Sequence, residues 1–153
     1  MSTAVDPAMT SWAADCVEHA LVYFTEGLDD TVQAAIDAAR GWAKGEVSDE
    51  QVSDAAMDAF MSAREHTTNG YQSLATITRA ASHAAASAED VSFAALAAEQ
   101  SVEAVALNSA PCEHQSNVET ERYWQWETIP SSHRDELFPV APPEPTAASC
   151  AIP

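Results

Sequence analysis

Apolar residues recur every three or four positions along most of this chain, which is the spacing that places side chains on one face of an α-helix. The clearest stretch predicts the buried face of a third helix, formed by Val52, Ala56, Phe60 and Ala63. No stretch alternates apolar and polar residues in the way that a half-buried β-strand does. The pattern therefore predicts an all-α protein.

Glycine, proline and capping sequences predict where the helices begin and end. Capping boxes are predicted at Asp30, Ser48 and Ser116. In a capping box, the N-cap residue and the residue three positions later each form a hydrogen bond from the side chain to the backbone amide of the other. The predicted helices cover about residues 11–26, 30–44, 49–69, 71–87, 89–107 and 117–129, with one more turn over 132–137. Because the connections are short, neighbouring helices should be antiparallel. The predicted fold class is an alanine-rich bundle of five to six antiparallel helices with a proline-rich C-terminal tail.

Three segments of the chain differ in composition. We expect residues 1–10 to form a flexible lead, residues 11–138 a helical bundle domain, and residues 139–153 an extended tail. The tail holds five of the eight prolines of the chain. Since proline removes an amide donor and fixes φ, we expect this tail to be extended and not anchored to the bundle.

Acidic residues dominate the charge of the chain: 24 Asp and Glu stand against 6 Lys and Arg, giving a net charge of -18. Nucleic acids and anionic membranes attract Lys and Arg, so this balance argues against both as partners. The charge fits solubility in a crowded or salty setting, or a cationic protein partner. The acids are interleaved with alanine rather than gathered in one block, which favours solubility.

The cysteines and the hydropathy of the chain bear on its location. Cys16, Cys112 and Cys150 are an odd number without a C-x-x-C pair, which is typical of a reducing, cytoplasmic setting. No stretch approaches the roughly 18 consecutive apolar residues of a membrane-spanning helix. The N-terminus lacks a basic region followed by an apolar one, so we expect no secretion signal and a cytoplasmic protein.

Four stretches carry a family resemblance: Trp12–His19, Ala35–Glu46, Arg79–Ala84 and Glu121–Trp126. Together they resemble the small alanine-rich helical immunity proteins that are encoded near bacterial toxin systems, over residues 11–138. The resemblance implies a protein that binds a toxin or effector protein and neutralises it by occlusion. The sequence also lacks a G-x-S-x-G elbow and a phosphate-binding glycine loop, and we predict neither catalysis nor a cofactor.

The candidate partner-binding residues are acidic or aromatic. Asp54 and Asp58 share one helix face, and like charges at that spacing are mildly destabilising. Such a cost in stability is expected of a surface that binds a basic partner. Trp124 and Trp126 are two residues apart and cannot both face inward on one helix, so one of them could anchor a partner. Solvated acidic faces and tryptophans packed in the core are the alternative interpretation. The full set of candidates is Asp15, Glu18, Asp54, Asp58, Trp124 and Trp126.

His19 and His83 are weak candidates for a metal site, since imidazole and carboxylate groups ligate transition metals. Neither belongs to an i, i+4 histidine pair or to an H-E-x-x-H helix. The spacing favours histidines that pack between helices and bond across the bundle, and we predict no metal.

The tail supports a second hypothesis from a different class. A folded helical body followed by a proline-rich spacer and a terminus with Thr146, Ser149 and Cys150 resembles a ribosomal peptide precursor. In such a precursor, partner enzymes bind the folded leader and modify Ser, Thr or Cys near the end. A plain disordered tail is the alternative.

Overall fold

The structure, a computed structural model, describes residues 5–148 and Cys150. These residues contain seven α-helices and one 3₁₀ turn. The helices are α1 (Pro7–Ala20), α2 (Asp30–Ala43), α3 (Asp49–Thr68), α4 (Gln72–Ala86), α5 (Ser92–Leu107), α6 (His114–Thr128) and α7 (Ser131–Leu137), and the 3₁₀ turn (Leu21–Tyr23) follows α1. These residues include no β-strand, so the all-α prediction is confirmed, with one or two more helices than expected. No helix among them is long and apolar enough to cross a membrane.

Helix α4 lies at the centre of the bundle and packs against α1, α2, α3 and α5, while α6 packs against α5 and α1. Alanine is the commonest buried residue, and Ile36 and Ile77 are among the few large side chains that are fully buried. Since the distance between helix axes depends on the side chains at the contact, alanine lets these helices approach closely. The core is therefore built from many small side chains between closely spaced helices rather than from a few large side chains.

Helix α3 begins with the predicted capping box. The Gln51 amide donates to the Ser48 hydroxyl at 3.1 Å, and the Ser48 amide donates to the Gln51 side chain at 3.0 Å. Helix α2 is capped one residue earlier than predicted, because Asp29 rather than Asp30 accepts from the Thr31 amide at 3.0 Å.

The predicted capping box at Ser116 is wrong. Helix α6 begins at His114, and its N-cap residue Glu113 makes no capping side-chain bond. Ser116 lies inside the helix, and its hydroxyl donates to the backbone oxygen of Thr146 at 2.7 Å. The side chain that resembles a cap in the sequence instead holds the returning tail.

Helix α1 begins at Pro7 and not at Ser11. The Asp6 carboxylate accepts from the Ala8 amide at 3.0 Å, and proline is favoured in the first helical turn. Met9 is buried in the core. Residues 7–10 thus belong to the helix, in contrast to the flexible lead expected there.

The expectation of an unanchored tail is also wrong. Cys150 forms a disulfide with Cys112, next to the start of α6, and Thr146 bonds to α6 through Ser116 and Glu119. Phe138, directly before the tail, packs against the core. The tail therefore runs back along α6, and two of the three thiols are paired rather than reduced. Cys16 is free and buried, and burial raises the pKa of its thiol.

Phe60 does not face the core as predicted. Its side chain is 41% exposed, and Ala59 occupies the inward position with no exposed surface. Helix α4 approaches this face of α3 closely enough for the Ser82 hydroxyl to donate to the Ala56 backbone oxygen at 2.7 Å. An alanine fits at such a contact, whereas a phenylalanine ring requires more space.

Candidate functional site

The outward surface of α3 combines acidic and large apolar side chains. Its inward positions are Val52, Ala56, Ala59 and Ala63, and this register turns a different set toward solvent. Met57 and Met61 are 58% and 53% exposed, and Phe60 is 41% exposed. We call the outward residues Asp54, Met57, Asp58, Phe60 and Met61 the α3 face.

An apolar groove of about 340 Å³ lies beside the α3 face, between α3, α4 and the start of α5. Met57 and Phe60 line it on the α3 side, and His83 and Phe93 line it opposite. The rings of His83 and Phe93 are stacked, with centroids 5.4 Å apart and planes 8° from parallel. We call the space lined by Met57, Phe60, His83 and Phe93 the apolar groove.

His83 is held in place by a neighbouring amide. Its Nδ1 lies 2.6 Å from Oε1 of Gln100 on α5. Because an amide oxygen only accepts hydrogen bonds, this bond requires the tautomer in which Nδ1 carries the proton. The bond links α4 to α5 and fixes the ring in the groove.

Asp54 and Asp58 are exposed and lie four residues apart on α3. Among the described residues, no Lys, Arg or His lies within ion-pair distance of either carboxylate. Their mutual repulsion is therefore not offset by an internal cation. Both charges are available to a molecule that approaches α3.

Asp15 and Glu18 lie in a different setting, because both pair with Arg40 of α2. The Arg40 guanidinium is 2.6 Å from each carboxylate. The hydrogen bond from Arg40 lowers the pKa of Glu18, and the two carboxylates raise the pKa of Arg40. This group joins α1 to α2, and Arg40 neutralises one of the two negative charges.

A cleft of about 780 Å³ lies between the start of α2 and α3 and reaches the α3 face at Asp58; four acidic residues and one arginine line it, namely Asp29, Asp30, Asp58, Glu65 and Arg64. The Asp29 carboxylate accepts bonds from Ser62 and from the Thr31 amide, and lies 3.3 Å from Nε2 of His66. Burial acts to raise the pKa of Asp29, but these hydrogen bonds outweigh it and lower the pKa. Asp29 therefore serves to fasten α2 to α3.

Half-buried His19 and buried Glu121 form a pair that was not predicted from the sequence. His19 Nδ1 lies 2.9 Å from both carboxylate oxygens of Glu121, whose side chain has no exposed surface. Trp124 stacks on the His19 ring at 3.9 Å. Burial raises the pKa of Glu121, against the lowering by its bonds to His19 and Tyr23. The partners lie on α1 and α6, and the position of Glu121 close to Trp124 and Trp126 was the one signal in the sequence.

Trp124 and Trp126 both make contacts within the chain. Trp124 packs against the core beside His19. Trp126 is half-buried, with the Arg134 guanidinium 5.5 Å from its ring centroid and Tyr123 tilted against it at 5.5 Å. Both tryptophans are half-buried, and of the two it is Trp124 that packs against the core.

The two histidines considered as metal ligands bond across the bundle, His19 to Glu121 and His83 to Gln100. Within the described ranges, no three His, Cys, Asp or Glu side chains come together as a group that could hold a metal ion.

Comparison with known families gives one match. The model of the family described as "Imm-5 like putative immunity protein" matches residues 5–132, which is most of the chain. The chain belongs to this family. No curated protein and no solved structure matches it.

The tail of this Imm-5 like protein follows the matched residues. Of the residues considered for modification, Thr146 donates to Oε1 of Glu119 at 2.9 Å and Cys150 is in the disulfide, while Ser149 lies outside the described residues. The α3 face and the apolar groove, by contrast, lie wholly within residues 5–132. The surface with free acidic and apolar groups thus belongs to the part shared with the family.

Proposed function

We propose that this Imm-5 like protein is a non-enzymatic immunity protein that binds a toxin or effector protein and neutralises it by covering its working surface. Family membership supports an immunity role. The observation that carries the proposal further is the α3 face, where Asp54 and Asp58 stand beside exposed Met57, Phe60 and Met61. Acidic groups next to exposed apolar groups fit a protein interface, in which apolar contacts supply affinity and charge supplies orientation.

The partner that this surface fits is cationic. The chain carries a net charge of -18, so it attracts basic proteins and repels acidic ones at long range. Asp54 and Asp58 add an unpaired local negative charge at the point of contact. A basic toxin surface would relieve the repulsion between the two carboxylates, which makes binding more favourable there than at an internally paired site.

Other candidates fit the role less well. Asp15 and Glu18 already pair with Arg40, and a partner would have to compete with that guanidinium. Trp124 is stacked on His19 and packed against the core. We therefore propose α3 as the main contact, with Trp126 the better placed of the two tryptophans for a secondary one.

The test is protection of growing cells. A toxin whose gene is found near that of the immunity protein is expressed with the wild type, with the Asp54→Asn/Asp58→Asn pair, or with the Glu99→Gln/Glu103→Gln pair. The control pair removes the same charge at the same spacing from exposed positions on α5. We expect the wild type and the control pair to protect and the α3 pair to protect poorly. Equal protection by all three would place the contact elsewhere, and no protection by the wild type would refute the proposed function.

A further inference from the structure

Three large apolar side chains lie side by side on a bundle that is otherwise packed with alanine. Met57, Phe60 and Met61 are each more than two fifths exposed. Single exposed apolar side chains are ordinary on protein surfaces, whereas a contiguous group marks a site of interaction. Two of the three, Met57 and Phe60, also line a concave space, which a solvated surface does not require.

The size of the apolar groove limits what it can hold. Its volume of about 340 Å³ is at the lower end of the range for ligand pockets, roughly 300–1000 Å³. A space of this size suits one bulky side chain from a partner rather than a large cofactor. The stacked rings of His83 and Phe93 offer a flat aromatic wall, and Met57 opposite them is flexible enough to fit around an inserted group.

The charges around the groove indicate which kind of partner segment would insert this side chain. Glu89 lines the groove, and Asp54 lies one helical turn before Met57 on α3. None of the residues that line the groove is Lys or Arg. An apolar centre with an acidic edge is complementary to an amphipathic helix that carries basic residues around one large apolar residue.

We propose that the apolar groove receives a single bulky apolar side chain, aromatic or leucine-like, from a cationic helical segment of the partner protein. The inference rests on the proposed function, because it specifies how the partner of the α3 face is held. Phe60 forms one wall of the groove and orients the inserted side chain. Asp54 and Glu89 attract the basic residues on either side of it.

Peptide probes test the inference without knowledge of the toxin. The full chain is labelled with ¹³C at its methionine methyl groups, so that Met57 reports on the groove and buried Met9 serves as an internal reference. It is titrated with a helical peptide of about 15 residues that consists of Lys and Ala with one central Phe, called the Lys/Phe peptide. A second peptide, the Lys/Ala peptide, has Ala in place of that Phe. A third, the Glu peptide, keeps the Phe and has Glu in place of Lys.

We expect the Lys/Phe peptide to shift the Met57 signal and leave Met9 unchanged, with at least about fivefold weaker binding for the Lys/Ala and Glu peptides. Phe60→Ala should weaken binding of the Lys/Phe peptide by about fivefold. The control Leu107→Ala, which truncates a side chain that is 43% exposed at the far end of α5, should leave it unchanged.

Each other outcome overturns the inference in a distinguishable way. Equal binding of the Lys/Phe and Lys/Ala peptides would leave the acidic surface as the binding site and refute insertion into the groove. A Phe60→Ala variant that binds as the wild type does would do the same. If no peptide moves the Met57 signal, the groove inference fails, while the proposed function is judged separately by the protection of cells.

Discussion

At the scale of single residues, the buried Glu121 is the most unusual group in the molecule. Its carboxylate has no exposed surface and is bonded to His19 on α1. Placing an ionised carboxylate in the interior is costly unless the charge is paired and hydrogen-bonded. Here the pair also fixes how α6 lies against α1, since stacked Trp124 covers the His19 ring.

Glu121 makes stability depend on pH in a defined direction. Burial raises its pKa in the folded protein above the ordinary value of 4.5. A group whose pKa is raised in the folded state stabilises the protein fully when the pH is below its pKa in the unfolded state. This stabilisation is lost as the pH rises through its pKa in the folded state. Glu121→Gln removes this titration and keeps an oxygen that accepts from His19. The free energy of unfolding of the wild type minus that of the variant should therefore fall as the pH rises above 4.5.

Urea unfolding of both proteins at a series of pH values measures this difference. Effects of the remaining acidic residues are common to the two proteins and cancel. A difference that stays constant, or that grows with pH, would show that burial does not control the ionisation of Glu121.

At the scale of elements, the register of α3 determines both the core and the surface. Ala59 points into the bundle with no exposed surface, and Phe60 lines the groove. A shift by one position would bury the ring and remove the exposed apolar group. The candidate site is thus a direct consequence of how closely alanine allows α3 and α4 to pack.

Two substitutions on α3 test this register. Ala59→Leu should lower the free energy of unfolding by about 1–3 kcal/mol, because extra methylene groups in a packed contact force side chains apart. Phe60→Ala should lower it by less than the roughly 3–5 kcal/mol of a fully buried phenylalanine, because Phe60 is 41% exposed and loses only part of its packing. Thermal or urea unfolding compares the two, and a loss of that full size for Phe60→Ala would contradict the register.

Local signals in the sequence predicted the elements better than the site. The capping box at Ser48 could be predicted because its two partners are three residues apart. The position of Phe60 could not, since spacings of 52, 56, 60 and of 52, 56, 59 both fit a helix face, and only packing against α4 distinguishes them. The bond between His19 and Glu121 joins residues 102 apart in sequence, and nothing local encodes it.

At the scale of the whole molecule, the C-terminal tail closes over α6. The Cys112–Cys150 disulfide links residues 38 apart, and Thr146 bonds to α6 on the way. The sequence pointed to an unanchored tail because proline content describes local stiffness and not long-range contacts. The disulfide also makes the stability of the molecule sensitive to the redox state of its surroundings.

Reduction of the disulfide should destabilise the fold. A cross-link over this separation restricts the unfolded chain and stabilises the folded protein by about 2–4 kcal/mol. Urea unfolding with and without a thiol reductant measures the loss, and the Cys112→Ser/Cys150→Ser variant should not respond to the reductant. Buried Cys16 should stay unreactive in the folded protein under both conditions. Unchanged stability on reduction would mean that the tail contributes nothing to the fold.

The central claim is that an Imm-5 like chain binds a basic protein through the α3 face. The most direct measurement is the dissociation constant between the purified chain and the toxin that it is proposed to neutralise, by calorimetry at low and high salt. We predict that binding weakens with salt, and that Asp54→Asn/Asp58→Asn weakens it by about tenfold while Glu99→Gln/Glu103→Gln changes it little. Binding that is insensitive to salt and equal for both pairs of variants would contradict the claim.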